Sequence, residues 1–117
     1  MSFDSEEYKK MLAELKAEYV NSLLTKIADI ESCLNEQNAE GLREHFHKLK
    51  GNGKTYGVPE ISIIGELTEN LFLNSKEKGF EATPLAVTLL RAVYEKEAQA
   101  KDYDIEQDPQ LEKLRAL

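Results

Sequence analysis

The sequence predicts an all-α protein, an antiparallel four-helix bundle with an additional N-terminal helix or helical extension. Three observations predict it. Prolines and glycines are sparse, three and six in 117 residues, which leaves long stretches without a helix breaker. Apolar residues recur at alternating steps of three and four, the period of one helix face. Period-two alternation bounded by turns, the mark of a strand, appears nowhere. The length fits one domain over residues 1–117, with the bundle core at about 18–101 and an acidic tail at 104–117.

The first long helix follows from Val20, Leu23, Ile27, Ile30 and Leu34, in a stretch free of Gly and Pro between Ser2 and Gln37. Upstream, Tyr8, Leu12 and Leu15 mark either a shorter helix or an extension of the same one. Residues 35–38 read as a turn, with Asn38 as N-cap. A second helix is expected over residues 39–56, stopping at Gly57, with Leu42, Phe46, Leu49 and Tyr56 inward. Pro59 suits the first turn of a third helix carrying Ile61, Ile64, Leu67 and Leu71, which ends before Gly79. Ile63 and Leu73 fall off that stripe; either the N-terminal helix covers them, the slightly favoured reading, or they meet a partner protein. Thr83 and Pro84 read as N-cap and first turn of a fourth helix reaching about Lys101, lined by Leu85, Leu89, Ala92 and Val93. After Pro109, Leu111, Leu114 and Leu117 form either a docked turn or a frayed end.

Composition narrows the function. A net charge of −7 argues against nucleic acid as a partner, since phosphate neutralisation needs a basic surface. No apolar run approaches the ~18 residues of a membrane span, so no membrane partner is expected. Cys33 is the only cysteine, which excludes an internal disulfide and fits a reducing compartment. The acidic N-terminus lacks the apolar stretch of a secretory signal. A cytoplasmic protein is expected, and a monomer, because no large apolar stripe is left over once the four faces are paired.

The chemistry concentrates in residues 43–57, REHFHKLKGNGKTYG. At about 100° per residue, Leu42, Phe46, Leu49 and Tyr56 fall on one side and His47 lies well away from them. Arg43, Lys50, Gly51 and Lys54 share the His47 side, at −4, +3, +4 and +7. An imidazole therefore projects to water among cations, beside a residue with no side chain. Each interior glycine costs a helix ~1 kcal/mol relative to Ala. Gly51 on the exposed face lets a partner approach closely, and Gly53 on the core side lets helices pack tightly. Residues 39–57 carry four Lys or Arg against Glu40 and Glu44, a +2 island within a chain of −7.

The run His47-x-Leu49-Lys50-Gly51, with Gly57 ten residues after the histidine and VPEI at residues 58–61, is similar to the signature of histidine phosphotransfer (HPt) domains. The likeness covers roughly residues 18–75, and the outer helices in general form. It implies a four-helix bundle that carries a phosphoryl group rather than a free-standing enzyme. By position, His47 is the implied phosphoacceptor and Lys50 the cation that meets the phosphoryl oxygens, with Lys54 assisting. Gly51 gives a receiver room, and Arg43 and Lys48 read either as the border of the docking surface or as plain solvated charges. The implied partners are response-regulator receiver domains and a sensor histidine kinase. The chain needs no cofactor of its own, and Mg²⁺ is expected in the partner receiver. His45, two residues before the acceptor, and the Asn52-Gly53 pair depart from the family's usual pattern.

Other readings are weaker. Gly53-Lys54-Thr55 resembles the end of a phosphate-binding loop, but Lys48 stands where the first glycine is required and no strand precedes it. His45 and His47 are two apart and cannot face one metal from a helix; His45 reads as a boundary residue at a helix interface. Cys33 reads as a small semi-buried residue. Two alternatives remain within the likeness: a phosphotransfer domain of a larger histidine kinase, or a non-phosphorylated scaffold that binds a receiver.

Overall fold

In the computed structural model the chain is described from Ser5 to Leu117. Residues 1–4, the start of the acidic segment read above as no secretory signal, lie outside the described residues. Five α-helices and one 3-10 turn follow one another, and no strand occurs among the described residues. α1 is Ser5–Asn35, α2 Ala39–Asn52, α3 Pro59–Asn74, α4 Lys76–Gln99 and α5 Pro109–Ala116; the 3-10 turn is Ile105–Gln107. α2 packs on α3, α3 on α4, α4 on α1 and α1 on α2. Short connections make these neighbours antiparallel, so the ring closes as the expected bundle.

α1 is one unbroken helix, about 46 Å long at 1.5 Å per residue. Its Tyr19, Val20, Leu23, Ile27 and Ile30 are buried in the bundle. Its start stands clear of the core: Tyr8, Met11, Leu12 and Leu15 are 40–48% exposed. The expectation that no apolar stripe is left over therefore fails at this end, because α1 is much longer than α2 or α3. Gln37 takes a positive φ of 54° after α1, the left-handed step that commonly ends a helix. Asn38 then caps α2, its Oδ1 accepting from Gly41 N at 2.9 Å.

α2 is shorter than its apolar spacing indicates. It ends at Asn52 rather than Tyr56. The cause is a tertiary contact: the Lys54 N–H donates to Ser62 Oγ at 2.8 Å instead of continuing the helical ladder. A Cβ on Gly53 would stand 2.5 Å from Ser62 N, so only glycine fits between the end of α2 and α3. Gly57, at φ +82°, turns the chain into α3. Tyr56 is 38% exposed and stacks on Tyr19 at 4.8 Å instead of filling the core.

The fourth helix begins earlier than Thr83 and Pro84 indicate. Ser75 caps α4, accepting from Lys78 N, and Pro84 lies inside the helix. Gly79, Ala82 and Thr83 are buried, and Gly79 packs so closely on Phe72 that a Cβ would overlap the ring. That packing holds the segment helical through the hydrogen bond that Pro84 cannot donate. Ile63 is half-buried against the core, but Leu73 is 63% exposed; α1 packs mainly on α4 and α2 and leaves it uncovered. The C-terminal leucines dock rather than fray. Ile105, Leu111 and Leu114 are buried, and α5 lies on α4 and α3. Asp108 fixes its start by accepting from Gln110 N at 2.9 Å and from the Tyr103 hydroxyl at 2.7 Å.

Candidate functional site

α2 presents Leu42, Phe46 and Leu49 to the core, and the helical period turns the residue after Phe46 outward. The His47 side chain is 63% exposed. It is nevertheless anchored: its Nδ1 lies 2.7 Å from Oε2 of Glu69 on α3. Glu69 is a nearly buried carboxylate, 5% exposed. Two further cations reach it, Arg43 Nη1 at 3.6 Å from Oε2 and Lys50 Nζ at 3.6 Å from Oε1. A buried carboxylate needs such partners. When ionised it can only accept, so the tautomer that satisfies it keeps the hydrogen on Nδ1 and leaves the Nε2 lone pair for the exposed side.

Close approach of two backbones makes this contact possible. A Cβ on Gly65 would lie 2.5 Å from Lys50 N and 2.7 Å from Phe46 O. The glycine lets α3 rest directly on α2 beneath His47 and brings Glu69, one turn on from Gly65, up to the imidazole. On the other face the space is open. A Cβ on Gly51 would meet nothing within 4 Å.

Four of the residues singled out from sequence converge here: His47, Lys50, Arg43 and Gly51. Lys48 is exposed on the flank of α2. Lys54 is placed differently. The helical register that put it at +7 from His47 stops at Asn52, and Lys54 instead borders a groove with Leu12, Leu15, Lys16 and Tyr56. His45 is half-buried, and no cluster of three or more metal-ligating side chains exists among the described residues. Cys33 is half-buried and free, and burial, followed by the charges of Glu36 and Asp29, pushes its thiol above the ordinary range.

Sequence reading missed Glu69. Helical spacing on α2 cannot point to it, because the partner comes from α3, 22 residues along the chain from His47. A faint signal was present. Ser62, Gly65 and Glu69 break the apolar pattern of α3 at steps of three and four, and all three are buried. Glu40 is a second acidic neighbour, taking Arg43 Nη2 at 2.5 Å and Arg43 Nε at 3.2 and 3.3 Å. Those hydrogen bonds from Arg43, and then its charge, hold the Glu40 carboxyl below the usual range.

Fold and site together define a helical bundle that offers one solvent-facing, carboxylate-anchored histidine on a cationic surface. Compared with protein-family models, residues 14–100 match the Hpt domain. The chain belongs to the Hpt family, whose members carry out histidine phosphotransfer in phosphorelays and interact with receiver domains and kinases. Comparison with curated proteins gives no match, and neither does comparison with solved structures. Among the described residues, no helix is long and apolar enough to cross a membrane.

Proposed function

We propose that His47 is the phosphoacceptor: it takes a phosphoryl group from the aspartyl phosphate of one receiver domain and passes it to another. The observation that carries this reading is the Glu69 contact, which frees Nε2 while holding the ring still. In the forward step the Nε2 lone pair attacks phosphorus in line. The N–P bond forms, the P–O bond to the receiver's aspartate breaks, and that carboxylate leaves with the electron pair. No proton needs to move, because Nδ1 keeps its hydrogen. The ring becomes a phosphorylated imidazolium whose positive charge faces Glu69. The reverse step returns the phosphoryl group to a carboxylate.

Lys50 is the cation placed for the phosphoryl oxygens. Helical side chains lean towards the N-terminus, so a lysine at +3 leans back over the His47 turn. An exposed ion pair at ~4 Å is worth about 1 kcal/mol in water, so Lys50 tunes transfer by less than tenfold. Gly51 leaves room for the receiver, while Arg43 and Lys48 supply a basic rim that suits an acidic partner pocket. That pocket would hold the Mg²⁺; this chain supplies the acceptor and no metal ligand. The same site serves whether the phosphoryl group arrives from a receiver or from a kinase.

The test is transfer from a receiver carrying labelled aspartyl phosphate. Wild type should acquire acid-labile, base-stable label, and His47→Gln should acquire none. Label of that kind on the His47→Gln protein would reject the assignment.

A further inference from the structure

Arg43 stands out among the charges around His47 because it is shared. Its guanidinium touches Oε2 of Glu69 at 3.6 Å, the same oxygen that holds His47 Nδ1. Its stronger partner is Glu40, one turn back on α2, which it grips through Nη2 and Nε. The grip is at the surface: the Glu40 side chain is 75% exposed and that of Arg43 29% exposed. On the far side lies a hollow of about 120 Å³ bounded by Ala39, Glu40, Arg43, Phe72 and Lys76, so the guanidinium is not wedged in place. Lys76, at the start of α4, bears electrostatically on Glu40 as well and remains beside it if Arg43 moves away.

Helix geometry sets the reach. His47 is four residues after Arg43, and its side chain leans back over the turn that Arg43 occupies. A phosphoryl group on Nε2 adds a charge of close to −2 on three acceptor oxygens, on a ring whose Nδ1 shares Glu69 Oε2 with a guanidinium whose planar fork matches such oxygens. Before phosphorylation Glu40 is the nearest strong anion to Arg43. Afterwards it is the weaker of two competitors.

Resting on the reading of His47 as phosphoacceptor, we propose that Arg43 is a reserve cation: Glu40 holds it in the unphosphorylated protein and releases it to contact the phosphoryl group once His47 is charged. Lys50 then serves from one side of the ring and Arg43 from the other. Glu40 is a brake on the phosphorylated state, and its removal strengthens that state.

The experiment needs no partner protein, which separates this role from receiver docking. The chain is phosphorylated with phosphoramidate, in which the N–P bond breaks, ammonia leaves and Nε2 takes the phosphoryl group. The hydrolytic lifetime of the phosphohistidine and its ³¹P titration are then followed at fixed, low ionic strength. Glu40→Gln should lengthen the lifetime about two- to fivefold, the size of one exposed charge pair, and lower the pH at which the phosphoryl group titrates. Arg43→Gln should shorten the lifetime by a similar factor, and Arg43→Lys should recover part of it. The double variant should behave as Arg43→Gln alone, because Glu40 acts only through Arg43. Circular dichroism of each variant checks the fold, and the gain expected for Glu40→Gln cannot come from damage. A Glu40→Gln lifetime at or below wild type, or a gain that survives in the Arg43→Gln background, overturns the proposal while leaving the acceptor intact. Phosphoramidate label that does not depend on His47 overturns the acceptor and the reserve cation together.

Discussion

Replacing Glu69 with Gln tests the anchor beneath His47 most directly. The substitution keeps shape and volume and removes one charge. In the native site Oε2 faces His47 Nδ1 and Arg43, and Oε1 faces Lys50; every neighbour is a donor. A glutamine has one acceptor and one donor end, so either orientation sets an NH₂ against a cation. The loss is largest in the phosphorylated state, where the imidazolium opposes the carboxylate. A hydrogen bond to a charged group contributes about 1.5–3 kcal/mol and a neutral one about 1. The difference of roughly 0.5–2 kcal/mol at a contact buried on one side centres on about tenfold in the transfer equilibrium. The ring would also lose its fixed tautomer, adding to the rate loss. Single-turnover transfer from a labelled receiver measures the first effect, and ¹⁵N chemical shifts of the imidazole report the second. A Glu69→Gln protein that transfers at the wild-type rate, with the Nδ1–H form still dominant, would refute the reasoning.

Three other outcomes are expected. Gly65→Ala forces a methyl group into the backbones of Lys50 and Phe46; the melting temperature should fall by the equivalent of about 1–3 kcal/mol, as overpacking does, and transfer should slow because α2 and α3 separate beneath the site. Gly51→Ala should raise or keep the melting temperature, since Ala gains up to ~1 kcal/mol in a helix and the space there is open, yet transfer from a receiver should slow while labelling by phosphoramidate does not. Glu60 is buried against Lys96, whose Nζ lies 2.5 Å from Oε2. Burial alone would raise its carboxyl, but the hydrogen bond from Lys96, the Glu60 backbone N–H and the charges of Lys96 and Lys16 outweigh it and lower the value. The pair therefore stabilises the fold fully above the ordinary glutamate range near 4.3, and the contribution disappears as pH falls through the lowered value. Melting curves of wild type and Glu60→Gln should differ at pH 7 and converge as the pH falls below the ordinary glutamate range; a constant gap would contradict the assignment.

Helix count, inward faces and the exposure of His47 were legible because they are periodic and local. Val20 to Leu34, Leu42 to Leu49 and Ile61 to Leu71 need only a count of threes and fours. What stayed hidden depended on contacts between distant residues. Tyr56 sits at a core spacing, but the Ser62 hydroxyl captures the Lys54 N–H and ends α2 first. Thr83-Pro84 is a good local start signal, overridden by Gly79 and Ala82 packing under Phe72 and the core. Glu69 reads in sequence as one more charge in a strongly charged chain. Only the Gly65 contact with α2 turns it inward and makes it the partner of His47.

Gly51 and Gly65, which flank the His47 turn of α2, show what a phosphoryl carrier demands of its scaffold. A group that must be reached by visiting proteins has to be exposed, and an exposed imidazole on a single helix is free to rotate about its side-chain bonds. Holding it requires a contact from behind that does not cover Nε2. Gly65 supplies the first condition by letting α3 bring a buried carboxylate to Nδ1, and Gly51 supplies the second by leaving the front bare. Alanine at either position would still fold into a helix, but it would remove one condition without touching the other. Rigidity and access are therefore encoded separately, on opposite faces of α2, and the paired Gly65→Ala and Gly51→Ala variants should fail in different ways: the first with any phosphodonor, the second only with a protein.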